Sequence, residues 1–171
     1  MNSPPTPPSL LLDLVNSRIV WPDGLRDEIG DEAQARAWLR ARGGTGSSEE
    51  IAGAREVRTV LVDVLRGNLE REALTPWVEV MRKKAVLEAD GMEWVLDVPD
   101  RSAVGARAVE EWASLQAANG SRIRPCADPD CQHFLVDRSA ANRRKWHSME
   151  ACGNRTKARR HYARTKAAVQ E

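Results

Sequence analysis

The stretch CADPDCQHFLVDRSAANRRKWHSMEACGNR, residues 126–155, decides the fold at the C-terminal end of this chain. Cys126, Cys131, His147 and Cys152 fall in it as C-x4-C-x15-H-x4-C, and it holds every cysteine of the protein. Structural zinc takes four thiolate or imidazole ligands in a tetrahedron, and two ligand pairs separated by a loop supply them. Between Cys126 and Cys131, Pro129 with Asp128 and Asp130 favours a tight turn that returns the second sulfur. Phe134 to Asp137 reads as a strand, and Asn142 to Trp146 returns the chain to His147. Cys152 falls at a helix start, where exposed amides stabilise its thiolate. The pattern therefore predicts one structural zinc ion on Cys126, Cys131, His147 and Cys152. Three thiolates and a neutral imidazole around Zn2+ leave a formal charge of −1, which neighbouring arginines can offset. His133, two residues after Cys131, is the rival to His147. A catalytic zinc keeps one position open for water, whereas four ligands close this one. The zinc-deaminase pattern is missing too: four residues rather than two follow Pro125-Cys126 before Cys131, and there is no His-x-Glu.

A basic run follows the last cysteine. At 100° per residue, Arg155, Arg159, Tyr162 and Lys166 share one helix face, with Lys157, Arg160 and Arg164 opposite and alanines between. No large apolar stripe exists, so this helix either stays solvated or meets phosphates. The planar fork of arginine suits phosphate and guanine. Arg143-Arg144-Lys145 forms a second basic cluster beside His147. The candidate nucleic-acid contacts are Arg143, Arg144, Lys145, Arg155, Lys157, Arg159, Arg160 and Arg164.

The net charge of +1 hides an asymmetry. Residues 1–121 carry 14 Lys+Arg against 20 Asp+Glu, a net −6, while residues 122–171 carry 12 against 5, a net +7. Two modules with different partners are expected. Six tryptophans against one phenylalanine and one tyrosine are read mostly as core residues. The Pro-rich start, residues 1–8, lacks a basic n-region and a long apolar stretch and reads as a flexible tail. No later stretch is long enough to span a membrane. An odd number of cysteines without a leader predicts reduced thiols, a cytoplasmic setting and metal rather than disulfides.

Residues 9–120 read as a mostly helical α+β domain. Ser9 to Asn16 is a short strand or a helical turn, and Trp21-Pro22-Asp23-Gly24 is a turn. Asp31 caps a helix to about Arg42 that buries Ala35, Trp38 and Leu39. Ser47-Ser48-Glu49-Glu50 is a capping box for a helix with Val57, Val60, Leu61, Val64 and Leu65 on one stripe, ending at Gly67-Asn68. A shorter helix spans Leu69 to Leu74. Asp90-Gly91 between alternating runs predicts a β-hairpin. Asp100 caps a helix that buries Val104, Ala108, Trp112 and Leu115, closed by Asn119-Gly120.

Arg122-Ile123-Arg124-Pro125-Cys126-x4-Cys131, Phe134-Leu135-Val136-Asp137 and Asn142-Arg143-Arg144-Lys145-Trp146, continued by Ser148-Met149-x2-Cys152-Gly153-Asn154-Arg155-x-Lys157-Ala158-Arg159, resemble the CGNR zinc-finger family. Leu12-Asp13-Leu14-Val15-Asn16 resembles the start of the ABATE domain that accompanies this finger. The resemblance implies a small treble-clef-like finger over residues 121–171, structural zinc, DNA binding, and a role as a bacterial stress-induced transcription regulator. It departs from the family at His147, where cysteine is usual, and at Ser17, where threonine is common.

The first functional expectation is a DNA-binding regulator whose domain 9–120 senses a small-molecule effector or forms a homodimer. A zinc-scaffolded adaptor for an acidic protein partner is the second, and RNA binding is the third. Phe134, Trp146 and Tyr162 are the only stacking candidates for single-stranded RNA in the finger. Enzymatic activity is not expected, because residues 1–121 hold no His or Cys. Asp13, Asn16 and Trp21 could line a pocket there, but capping and core packing account for them better.

Overall fold

Ser9 makes the first apolar segment a helix. Its hydroxyl accepts from the Leu12 amide at 3.1 Å, and α1 runs Leu10–Asn16. The computed structural model describes residues 9–21, 24–116 and 121–168, with the backbone alone of Trp21, Arg164 and residues 166–168. The tail 1–8, the Pro22-Asp23 centre of the first turn and the Asn119-Gly120 close lie outside the described residues.

After α1, strands β1 (Arg18–Trp21) and β2 (Gly24–Asp27) pair antiparallel, a hairpin of which the sequence showed only the turn. Helix α2 spans Glu32–Arg40, with the Asp31 carboxylate accepting from the Gln34 amide at 3.0 Å. Helix α3 spans Ser48–Arg66. A 3-10 turn, Arg71–Leu74, runs straight into α4, Thr75–Glu79. Pro76 thus begins a helix rather than ending one, because a first-turn proline loses no intrahelical bond. Strands β3 (Lys83–Glu88) and β4 (Gly91–Leu96) form the expected hairpin, but Glu88 pairs with Gly91, so the turn is Ala89-Asp90 rather than Asp90-Gly91, and Gly91, at φ 135, opens β4. Helix α5 covers Asp100–Gln116. Then come β5 (Ile123–Pro125), β6 (Phe134–Val136), one wide π-type turn at Met149–Gly153, and α6, Asn154–Ala168. Among the described residues the strands form three separate two-stranded antiparallel pairs.

The caps differ in detail from expectation. Ser47 accepts from the Glu50 amide at 3.0 Å, but the return bond of Glu50 goes to the Gly46 amide at 2.7 Å, because Thr45 Oγ1 already serves the Ser47 amide. Asp100 sits in the first turn of α5, and its carboxylate takes the hydroxyls of Thr45 and Ser47. This ties the start of α5 to the start of α3. Glu111 in α5 does the same for α1, accepting from the Leu11 amide at 2.9 Å.

Helices α3 and α5 meet at backbone distance. A Cβ on Gly53 would overlap the Arg101 carbonyl, so only glycine permits this approach. Around them Leu11, Leu14, Trp38, Leu39, Ile51, Val57, Leu61, Trp77, Val104 and Val109 form the core. Val60, Val64, Leu65, Trp112 and Leu115 pack on it partly buried. Trp94 is the exception among the tryptophans with described side chains, 60% exposed on β4.

That core continues into the C-terminal part. Ile123, Phe134 and Val136 belong to the same cluster as α1 and α3. Asn16 locks the junction: its amide donates to the Phe134 carbonyl at 3.2 Å and accepts from the Phe134 amide at 2.8 Å. Asp13 pairs with Arg42 at 3.0 Å. An ion pair and a docking clamp thus occupy the two residues, both of which also line a cleft beside β6, while the Trp21 side chain lies outside the described set.

Candidate metal centre

Strands β5 and β6 pair with Pro125 opposite Phe134, so the loop between them is a turn pinned at its base. The Cys126 amide donates to the His133 carbonyl at 2.8 Å, and the Cys131 amide to the Asp128 carbonyl at 2.9 Å. These bonds place both sulfurs on one side of the turn. The Ala127 amide donates to the Lys145 carbonyl at 2.8 Å, bringing the segment that precedes His147 alongside.

The fourth ligand comes from the wide turn ahead of α6. Ser148 caps it, its hydroxyl accepting from the Ala151 amide at 3.1 Å, and the Gly153 amide reaches back to the Ser148 carbonyl at 3.1 Å. Gly153 is buried, and a Cβ there would lie 2.5 Å from Met149 Sδ. The near atom is the flexible end of the half-exposed Met149 side chain, which can swing aside, so space alone does not demand the glycine.

The four candidate atoms converge. One donor atom from each of Cys126, Cys131, His147 and Cys152 lies within 4.8 Å of all the others. His147 Nδ1 is 3.2 Å from Cys131 Sγ and 3.5 Å from Cys152 Sγ. A tetrahedron with Zn–S near 2.3 Å and Zn–N near 2.0 Å requires about 3.6 Å between such atoms. Cys126 and Cys152 are buried and Cys131 is half-buried. Burial pushes the Cys152 thiol up to about 12, with the Cys131 and Cys126 sulfurs adding to the rise. Burial also raises Cys131. Such thiols ionise only when a cation takes their lone pairs, and zinc does so. Burial, then Arg144 and Arg155, depress the His147 imidazole, which keeps it in the neutral form that binds metal.

His133 lies outside the four-atom cluster. It stacks on His147 with ring centroids 4.3 Å apart, and its Nδ1 is 3.6 Å from Cys131 Sγ. That contact makes it a flank of the site.

Asp128, the middle of the first ligand turn, is fully buried. Its carboxylate is 3.1 Å from Arg159 Nη1 and 3.2 Å from Arg155 Nε. Burial raises this carboxyl, but the Asp130 amide, Cys152 and the two arginines outweigh it and hold Asp128 below its ordinary value. Arg159 also pairs with Asp130, and Arg155 Nη2 approaches Cys152 Sγ at 3.8 Å. The last contact puts positive charge beside a ligand sulfur, where a site of net −1 needs it. Nothing in the sequence pattern marked Asp128 as more than a turn residue.

The candidate nucleic-acid residues therefore divide. Arg155 and Arg159 are engaged inside the finger. Arg144 donates from Nε to the Trp146 carbonyl at 3.0 Å and from Nη2 to the His147 carbonyl, bracing the loop. Arg143, Lys145, Lys157 and Arg160 are exposed and hold no ion pair among the described residues. Arg164 is placed in α6 by its backbone, and its side chain lies outside the described set.

Residues 122–165, from the start of β5 through most of α6, match the CGNR zinc finger family. No curated protein matches the chain. The family match and the four-ligand cluster agree on one structural zinc ion. No helix among the described residues is long and apolar enough to cross a membrane.

Proposed function

We propose that the chain is a cytoplasmic DNA-binding regulator without enzymatic activity, in which a treble-clef-like zinc finger presents α6 to duplex DNA. The observation that carries this reading is the division of the basic residues. Arg155 and Arg159 face inward to Asp128, which leaves the opposite face of α6, with Lys157 and Arg160, turned to solvent. A cationic surface fixed by a metal scaffold and free of internal partners suits phosphate contact. Zinc here supplies rigidity: four protein ligands fill its tetrahedron, and the ion's charge holds three thiolates together.

The resemblance of Leu12 to Asn16 to an ABATE domain supports a sensing or self-associating role for the N-terminal half, with bacterial stress response as the setting. Asn16 gives that half a route to the finger, because it clamps β6 directly. A cleft of about 660 Å³ beside this clamp, lined by Asp13, Arg138, Arg144 and His147, is where an effector would act on both parts.

The test is fluorescence anisotropy of labelled duplex DNA with zinc-loaded protein at low salt. Binding that disappears on chelation supports the reading. Absence of binding at low salt excludes it, and equal loss to a single-stranded RNA competitor would favour RNA as the ligand.

A further inference from the structure

The β3–β4 hairpin stands apart from the rest of the molecule. It is a two-stranded sheet whose outer edges meet no other strand among the described residues. A lone hairpin is marginal in water, and three or more strands are needed for independent stability. Its tie to the body at the β3 end is Lys83, which pairs with Glu110 of α5 at 2.8 Å.

One face of this hairpin is apolar and bare. The register sets Ala85 opposite Trp94 and Leu87 opposite Met92, so the four share a face. Leu87 is 86% exposed, Met92 63% and Trp94 60%. Solitary exposed apolar residues are ordinary, but a contiguous group on an open sheet marks a contact surface.

The charge pattern of β3, Lys83-Lys84-Ala85-Val86-Leu87-Glu88, indicates what covers it. It is basic at the start and acidic at the end, so it complements itself when run antiparallel. In a two-fold antiparallel pair, side chains opposite each other must point to the same face, which restricts the register. Centring the axis on Val86 meets that condition. It puts Lys84 of each copy opposite Glu88 of the other, and Ala85 opposite Leu87. The present partner of Lys84 is Asp97, at 2.9 Å, with both side chains more than half exposed, so little is lost by sharing it.

We infer that the chain forms a homodimer through β3, edge to edge, giving a four-stranded sheet in the order β4-β3-β3-β4. Each Leu87 is then flanked by its own Met92 and by Ala85 of the second copy, and the edge amides and carbonyls of β3 find partners. Two zinc fingers are carried on one body, although the inference rests on the hairpin alone and does not require DNA binding.

Sedimentation of the full zinc-loaded chain over a range of concentrations tests this. A dimer is expected for the native sequence. Lys84→Glu and Glu88→Lys should each weaken association at least tenfold, and the double exchange Lys84→Glu with Glu88→Lys should restore it. Leu87→Ser should weaken it without changing the helical circular dichroism. A native chain that stays monomeric at every concentration overturns the inference and leaves the apolar face to a different partner. A dimer unaffected by these substitutions, or a double exchange that fails to restore it, overturns the β3 pairing.

Discussion

The buried carboxylate of Asp128 lies 3.1 Å from the guanidinium of Arg159. One residue belongs to the first ligand turn and the other to α6, so the contact welds the metal site to the helix. The pair is uneven, because Asp128 is fully buried while Arg159 is 45% exposed. Removing an arginine strands a charge in the interior, whereas neutralising Asp128 does not.

Replacing Arg155 and Arg159 together with alanine should therefore cost the finger more stability than Asp128→Asn. The expected losses are about 3 kcal/mol for the double variant and about 1–2 kcal/mol for Asp128→Asn. Chemical denaturation followed through Trp146 fluorescence measures both, and the reverse order would contradict the assignment of Asp128 as the buried anchor.

Zinc binding should release protons. Without metal the Cys152 thiol is raised to about 12, so it is protonated at neutral pH, whereas the bound form is a thiolate. Affinity thus climbs as pH rises and falls as pH drops. The depressed His147 stays neutral below its ordinary value and gives way after the thiols begin to compete. Chelator competition across pH reads this slope. Cys152→Ser and His147→Ala should lose the ion, and His147→Cys should keep it. Full zinc occupancy in His147→Ala would make His133 the fourth ligand.

Arg58 is 9% exposed at its side chain and bonds Asp27 at 2.6 Å and 3.0 Å. Burial raises the Asp27 carboxyl, but Arg58 outweighs this and holds it below its ordinary 3.8. The stabilisation is complete above that value and lost as pH falls through the depressed one. Asp27→Asn should cost about 2–3 kcal/mol at neutral pH, measured by urea denaturation, and the difference from the native chain should shrink in acid.

The clamp between halves is also exposed to test. Asn16→Ala leaves the Phe134 amide without its acceptor, at a cost of about 1–3 kcal/mol. Hydrogen exchange at Phe134 should rise selectively.

Much of this was legible in the chain. Ligand spacing, the serine cap at Ser47, the β3–β4 hairpin and the missing apolar stripe in α6 are local patterns, and local patterns survive into structure; the hairpin turn itself sits one residue earlier than Asp90-Gly91. The contacts that tie the finger together and to the rest of the chain are not local. Asn16 meets Phe134 across the two halves, and Asp128 meets Arg159 between separate elements. No periodicity encodes such pairs. The helical wheel grouped Arg155 with Arg159 correctly, yet it could not show that the two turn toward the buried carboxylate of Asp128. The β1–β2 strands escaped because four-residue runs around a turn carry too little alternation.

The most direct measurement is the salt dependence of duplex DNA binding by zinc-loaded variants. The log–log slope should fall by about 0.9 for each phosphate contact removed. Lys157→Ala and Arg160→Ala should each reduce the slope by about one unit while leaving zinc content and stability unchanged. Arg155→Ala should lower stability and bound zinc, with no separate change in slope once the loss of folded protein is taken into account. A slope set by Arg155 and Arg159, with Lys157 and Arg160 silent, would contradict the account and return the inward face of α6 to the nucleic acid.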